Sequence, residues 1–171
     1  MRRLNQNLFK FLAIFFLILS NPTNSEDKFI YSYNVRVIDG DSIEMNKEKI
    51  RLFGVDAPEM NQICYDQNNR SYACGHASRK FLLNYINKYS SSKIYCYYSE
   101  RDKYKRIIGD CYIGKNINRS INRWMVRNGH AVAYLRYSEK YLYSQEKAKD
   151  KKLGIWAGTF DLPEEWRKNN K

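Results

Sequence analysis

The sequence predicts an α+β fold: a small five-stranded β-barrel with three helices packed around it. Three observations carry this expectation. The chain has 171 residues, 43% of them hydrophobic, enough for one core in one domain, since compact domains run to roughly 100–200 residues. Five short runs rich in Val, Ile and Tyr are bounded by turn residues. Three longer stretches carry apolar residues at helical spacing, one after the third strand and two after the fifth.

In order, residues 29–38 form the first expected strand, ended by Asp39-Gly40-Asp41. Residues 42–45 and 49–53 form a hairpin around Asn46-Lys47-Glu48. Val55 to Glu59 opens a loop, because Pro58 restricts the residue before it. From 75 to 89, Ala77, Phe81, Leu82, Tyr85, Ile86 and Tyr89 recur at helical spacing. Residues 94–98 and 107–113 are the next strand pair. A second helix covers 118–128, with Ile121, Trp124 and Met125 inward and Gly129 as its stop. After a short apolar strand at 131–135, Ser138 caps a charged third helix that runs through Lys152. Leu153-Gly154-Ile155-Trp156 ends it, and the tail around Trp166 and Arg167 carries no readable role.

Residues 1–25 read as a secretory signal peptide. Arg2, Arg3 and Lys10 precede an apolar run from Phe11 to Leu19, and small polar residues follow. Nine apolar residues fall short of the roughly 20 a spanning helix needs, so no stable membrane insertion is expected once the leader is cleaved. The mature domain is then 26–171. Losing the leader removes three basic residues and no acidic ones, so the net charge drops from +12 to +9.

Export turns four cysteines into candidate disulfides, with three possible connectivities. Cys64 and Cys74 bracket a polar loop, and Cys96 and Cys111 face each other if 94–113 folds as a hairpin. The expected pairs are therefore Cys64–Cys74 and Cys96–Cys111. A zinc site is the weaker alternative, since there is no C-x-x-C and only His76 and His130 are present.

Thirty Lys and Arg against 18 Asp and Glu, with 15 Tyr, suit a polyanion whose bases can stack. Asp39-Gly40-Asp41 and Asp56-Ala57-Pro58-Glu59 could each be a plain turn, Arg51 a solvent-facing strand residue, and Arg106 part of a charged hairpin. Their order is more specific. The stretches 37–42, 50–59, 102–106, 131–134 and 153–156 resemble the staphylococcal nuclease-like family across about residues 30–160.

The resemblance implies an OB-fold-like barrel and a nuclease using one Ca2+, with DNA and RNA as substrates and 3'-phosphate ends. It places Asp41, Asp56 and the backbone carbonyl of Ala57 as metal ligands, oxygen donors suited to a hard cation, with Asp39 behind them. Ala57 stands where the family often has Thr. Glu59 matches the general base, Arg51 and Arg106 the phosphate-gripping guanidinium groups, and Tyr104 and Tyr134 the aromatic walls of the nucleotide pocket. The expected protein is a secreted or periplasmic monomer. A noncatalytic nucleic-acid-binding module of the same fold would not need all five of Asp41, Arg51, Asp56, Glu59 and Arg106. A basic protein that adheres to envelope polymers would need only the charge.

Overall fold

The computed structural model describes residues 28–170; the expected leader lies outside the described residues. The fold is α+β. In chain order its strands are β1 (Lys28–Ser32), β2 (Arg36–Val37), β3 (Ser42–Met45), β4 (Glu48–Leu52), β5 (Val55–Asp56), β6 (Ile63–Tyr65), β7 (Ser71–Ala73), β8 (Ile94–Tyr98), β9 (Ile107–Ile113) and β10 (Val132–Ala133). Helices α1 (Cys74–Lys88), α2 (Ile121–Arg127), α3 (Leu142–Asp150) and α4 (Pro163–Asn169) are joined by 3-10 turns at Ile117–Arg119 and Gly154–Ala157. β1-β8-β9-β4-β3-β2 form one mixed six-stranded sheet, β5 pairs with β10, and β6 pairs with β7.

The architecture corrects several expectations. The first strand is two strands, because Asn34 donates its backbone N–H to the Ser32 hydroxyl at 3.0 Å and the chain turns there. Its halves then lie on opposite edges of the sheet. Those edges follow one another in the chain, but no ladder closes a barrel among the described residues. Among the described residues there are four helices rather than three. The Cys64 loop is a small hairpin, β6–β7, and Asp56 lies in a strand. Ser138 does not cap the third helix: its hydroxyl accepts from Lys140 N–H at 3.1 Å, and α3 begins only after Tyr141 has buried its ring. Trp124 is not inward. It stays 37% exposed and stacks on Tyr85 at 4.5 Å.

Elsewhere the local chemistry sets the elements. Asn46 and Lys47 both adopt positive φ, 53° and 67°, which makes a two-residue hairpin turn with the twist of its strands. Ile43, Met45, Ile50 and Leu52 thereby alternate inward and are all buried. On α1, Cys74, Ser78, Leu82, Tyr85 and Ile86 form the buried stripe. Buried Asn122 joins three segments: it accepts from Cys111 N–H at 3.0 Å and donates to the Phe53 and Gly109 carbonyls at 3.0 and 3.1 Å. Such a fully paired buried amide fixes register at little cost.

Disulfides join Cys64 to Cys74 and Cys96 to Cys111. They close loops of 10 and 15 residues, so reduction is expected to lower stability by about 2–5 kcal/mol. The urea midpoint with and without dithiothreitol measures this; an unchanged midpoint would show that the bridges add nothing.

His130 follows the α2 stop. Its ring stacks on Phe81 at 3.8 Å, and its carbonyl accepts from the Ser78 hydroxyl at 2.5 Å. Burial pushes the imidazole down to about 4 from 6.5. The unfolded chain therefore takes up this proton near pH 6.5, and the folded chain only near pH 4. Stability is present in full above pH 6.5 and falls as pH drops towards 4, by at most about 3 kcal/mol for this group. Urea titrations at pH 7.5 and 4.5 should show His130→Phe losing less than the native chain over that interval. Equal losses would refute the assignment.

Candidate active site

Two short loops build the site. The first, Asp39-Gly40-Asp41, is held shut by the Asp39 carboxylate, which accepts from Asp41 N–H at 3.0 Å. Gly40 is required here: a Cβ would sit 2.1 Å from the Ser78 hydroxyl and 2.7 Å from the Ala57 Cβ. That close approach brings the second loop, 56–59, against the first. Arg79 on α1 donates to the Ile38 and Val37 carbonyls at 3.1 and 3.3 Å and anchors the entry to the first loop.

At the junction Asp41 accepts from Ala57 N–H at 2.7 Å and pairs with Arg51. Arg51 also reaches Asp56 at 2.9 Å. Asp41 and Asp56 are 3% and 1% exposed. Arg51 stands on β4 opposite Ile108 of β9, on the outward side of the pleat, so its fork meets both carboxylates. Asp56 is positioned by β5, whose partner β10 is itself tied down where Ala133 N–H donates to Gln145 at 2.8 Å. Glu59 is held by Gln62: Glu59 N–H donates to the Gln62 side chain at 3.1 Å, and Gln62 N–H returns to the Glu59 carbonyl at 2.8 Å.

Asp39, Asp41, Arg51, Ala57, Glu59, Tyr104, Arg106 and Tyr134 line one cleft of about 800 Å³; Asp56 does not line it but is buried behind it, paired to Arg51 and Arg167. Arg106 reaches the wall of the cleft but not the carboxylates. Its guanidinium is bound to Asp102 at 2.7 Å, and the Tyr104 ring lies 5.5 Å from it. Tyr104 is 69% exposed. Tyr134 packs edge-on to Tyr137 at 4.8 Å, and burial together with the charge of Asp56 pushes its phenol up, so it stays protonated.

The sequence reading missed Arg167. On α4 it makes a fork to Asp56, at 2.9 and 3.0 Å, and also donates to Glu59 at 2.8 Å. The tail that carries it is stitched to the site. Gln62 donates to the Asp161 carbonyl at 2.7 Å, and Tyr65 and Thr159 exchange backbone hydrogen bonds at 2.9 and 3.0 Å.

The charges do not balance. Asp39, Asp41, Asp56 and Glu59 face the guanidinium groups of Arg51 and Arg167. Burial and the neighbouring Asp41 push Asp39 up to about 6, and burial raises Asp56 against the pull of Arg167. Among the described residues no three His, Cys, Asp or Glu gather as a metal cage. Asp41 and Asp56 are two buried carboxylates, oxygen donors suited to a hard divalent cation that keeps most of its own waters, and here their oxygens are held by Arg51, Arg167 and Ala57 N–H.

Guanidinium groups and carboxylates thus converge on one cleft, an arrangement that cleavage of a phosphate ester would use. The chain belongs to the staphylococcal nuclease homologue family, which matches residues 49–158. It is similar to an uncharacterized endonuclease of Escherichia coli, 31% identical over 160 residues that cover 90% of this chain and 94% of that protein. It is 37% identical over 122 residues to the succinoglycan biosynthesis protein ExoI of Rhizobium meliloti. That match covers 70% of this chain and 61% of ExoI, so the chain spans less than two thirds of that relative. A probable staphylococcal-like nuclease of Oryza sativa subsp. japonica, CAN3, is 30% identical over 142 residues, covering 81% of this chain and 33% of that protein. Among the described residues no helix is long and apolar enough to cross a membrane.

Proposed function

We propose that the protein is a Ca2+-dependent nuclease that hydrolyses phosphodiester bonds of DNA and RNA with low sequence specificity, leaving 3'-phosphate ends. The observation that carries the proposal is the convergence of Asp41, Arg51 and Glu59 on one cleft, with buried Asp56 paired to Arg51 behind them. Asp41, Asp56 and the Ala57 carbonyl would hold the cation, which when bound supplies the positive charge that four carboxylates lack. Asp39 fixes the turn that aims Asp41.

In the reaction Glu59 takes one proton of the attacking water as the water oxygen bonds to phosphorus, the bond from phosphorus to the 5' oxygen breaks, and that oxygen takes a proton from solvent water and leaves as the alcohol. Arg51 binds phosphate oxygens more strongly as charge builds on them. Asp102 keeps the Arg106 fork at the cleft wall, ready for a second phosphate oxygen. Tyr104 and Tyr134 offer surfaces to sugar and base without reading the base, which suits both DNA and RNA.

The same reading makes residues 26–171 one domain behind a cleaved leader at 1–25, its sheet an OB-fold barrel in which the bent first strand joins the two edges. The two disulfides favour a periplasmic or extracellular location, and the protein acts as a monomer. Digestion of single-stranded DNA and RNA by the mature protein, with Ca2+ or with a chelator, tests the core of this. Ca2+-dependent degradation to 3'-phosphate ends is expected. Binding without cutting by folded, oxidised protein would replace it with the noncatalytic module.

A further inference from the structure

The outward side of β1, β8 and β9 carries rings that the core does not use. Ile30, Ile94, Cys96, Cys111 and Ile113 point inward. The alternate positions are Phe29 and Tyr31 on β1, Tyr95 and Tyr97 on β8, and Tyr112 on β9. The strand registers put Phe29 opposite Tyr97 and Tyr31 opposite Tyr95, and Tyr95 opposite Tyr112. Ring centroids lie 5.8 Å apart for Phe29 and Tyr97, 5.3 Å for Tyr31 and Tyr95, and 6.0 Å for Tyr97 and Tyr112. Phe29 and Tyr31 are 55% and 45% exposed, and Tyr33 just beyond them is 58% exposed.

A continuous aromatic face on an edge strand is an aggregation hazard unless something guards it or binds it. Here the guards are cationic. Lys93 Nζ stands 4.5 Å from the Tyr31 ring and 5.3 Å from the Tyr33 ring, and Lys115 Nζ stands 6.0 Å from the Tyr95 ring. Neither lysine forms an ion pair with a carboxylate of the described residues. Flat rings spaced along a sheet with ammonium groups between them match a ligand that alternates π-faces with negative charges.

We propose that this face is a second binding surface, distinct from the catalytic cleft, that stacks the bases of single-stranded DNA or RNA while Lys93 and Lys115 meet the phosphates. The choice of polymer rests on the nuclease reading above. The geometry links the two sites: outward positions on β9 run from Tyr112 through Asp110 to Ile108, which lines the cleft opposite Arg51. That path is about 13 Å long, at roughly 3.3 Å per residue. The acid on it, Asp110, is already bound to Lys140 at 2.6 Å and to the Tyr141 hydroxyl at 2.5 Å. A strand resting on the rings is thereby led towards the cleft past an acid whose charge is already paired, and meets Glu100 only at the cleft itself.

The test is fluorescence anisotropy with the full mature protein in chelator, so that nothing is cut. Two labelled probes of about 20 nucleotides, longer than one such domain covers, are used: oligo-deoxythymidine and an abasic strand with the same phosphates. The native protein should bind the thymidine strand at least about tenfold more tightly than the abasic one. The double substitution Tyr31→Ala and Tyr95→Ala should remove about tenfold or more of the thymidine affinity, since each stacked base is worth about 1–3 kcal/mol, and leave abasic binding unchanged. Phe29→Ala is an independent variant on the same face, and urea midpoints confirm that each variant is folded. Lys93→Ala should weaken both probes alike. Equal binding of the two probes, or competition by heparin as strong as by the thymidine strand, would mean a surface that reads charge only and would overturn the proposal. Unchanged thymidine binding in both ring variants would also overturn it. Failure to cut on adding Ca2+ leaves the binding result standing and refutes only the catalytic reading.

Discussion

Glu59→Gln is expected to lower turnover by about 10²–10⁴-fold while substrate affinity stays near that of the native protein. The amide has the size of the carboxylate, and its oxygen can keep the hydrogen bond that Arg167 now makes at 2.8 Å. The backbone clasp with Gln62 does not involve the changed atoms. What is lost is the ability to take a proton, which matters only as the water attacks, so the effect falls on the transition state and not on binding. Single-turnover rates in Ca2+ and dissociation constants in chelator separate the two. A variant that cuts at the native rate would show that another group accepts the proton.

Arg51 is expected to matter twice. Its side chain is 17% exposed and bridges Asp41 and Asp56, themselves almost fully buried. Arg51→Ala leaves those carboxylates with less compensation. Breaking a buried pair from one side costs about 3–5 kcal/mol, and the urea midpoint of the metal-free protein should fall accordingly. Arg51→Lys keeps the charge and should recover much of that stability. It should still lose about 10²–10³-fold in turnover, because a point charge cannot hold two carboxylates and a phosphate in one plane. The split between the two readouts is the test. A lysine variant restored in both would show that charge alone suffices at this position.

Much of the site could be read from the sequence because its parts are local. Asp39-Gly40-Asp41 is a turn and Ala57-Pro58-Glu59 a loop directly after β5, and the Asn46-Lys47 turn sets the register that faces Arg51 outward, while the roles proposed for these residues come from the family resemblance. What escaped reading depends on distant contacts. Arg167 meets Glu59 and Asp56 across 108 and 111 residues, and nothing in its neighbourhood announces them. The helix that carries it did have a signal: Pro163 at its first turn with Glu164 and Glu165 behind it, and Arg167 and Lys168 in its last turn. That signal gives a helix but not its destination. Trp124 misled for a related reason, since its place on the apolar stripe of α2 is correct but its ring is shared with Tyr85 and Phe81 at the surface. The splitting of the first strand turns on one serine hydroxyl, a contact too slight to outweigh a run of Tyr, Val and Ile.

The reach of Arg167 has a consequence for how the protein is made. A growing chain emerges from the N-terminus onward, so Asp41, Asp56 and Glu59 are all exposed to solvent more than a hundred residues before Arg167 leaves the ribosome. During that interval Arg51 is available to Asp41 and Asp56, while Glu59 lacks the guanidinium it meets in the finished fold. The cluster closes with its second counter-charge only after translation has passed residue 167.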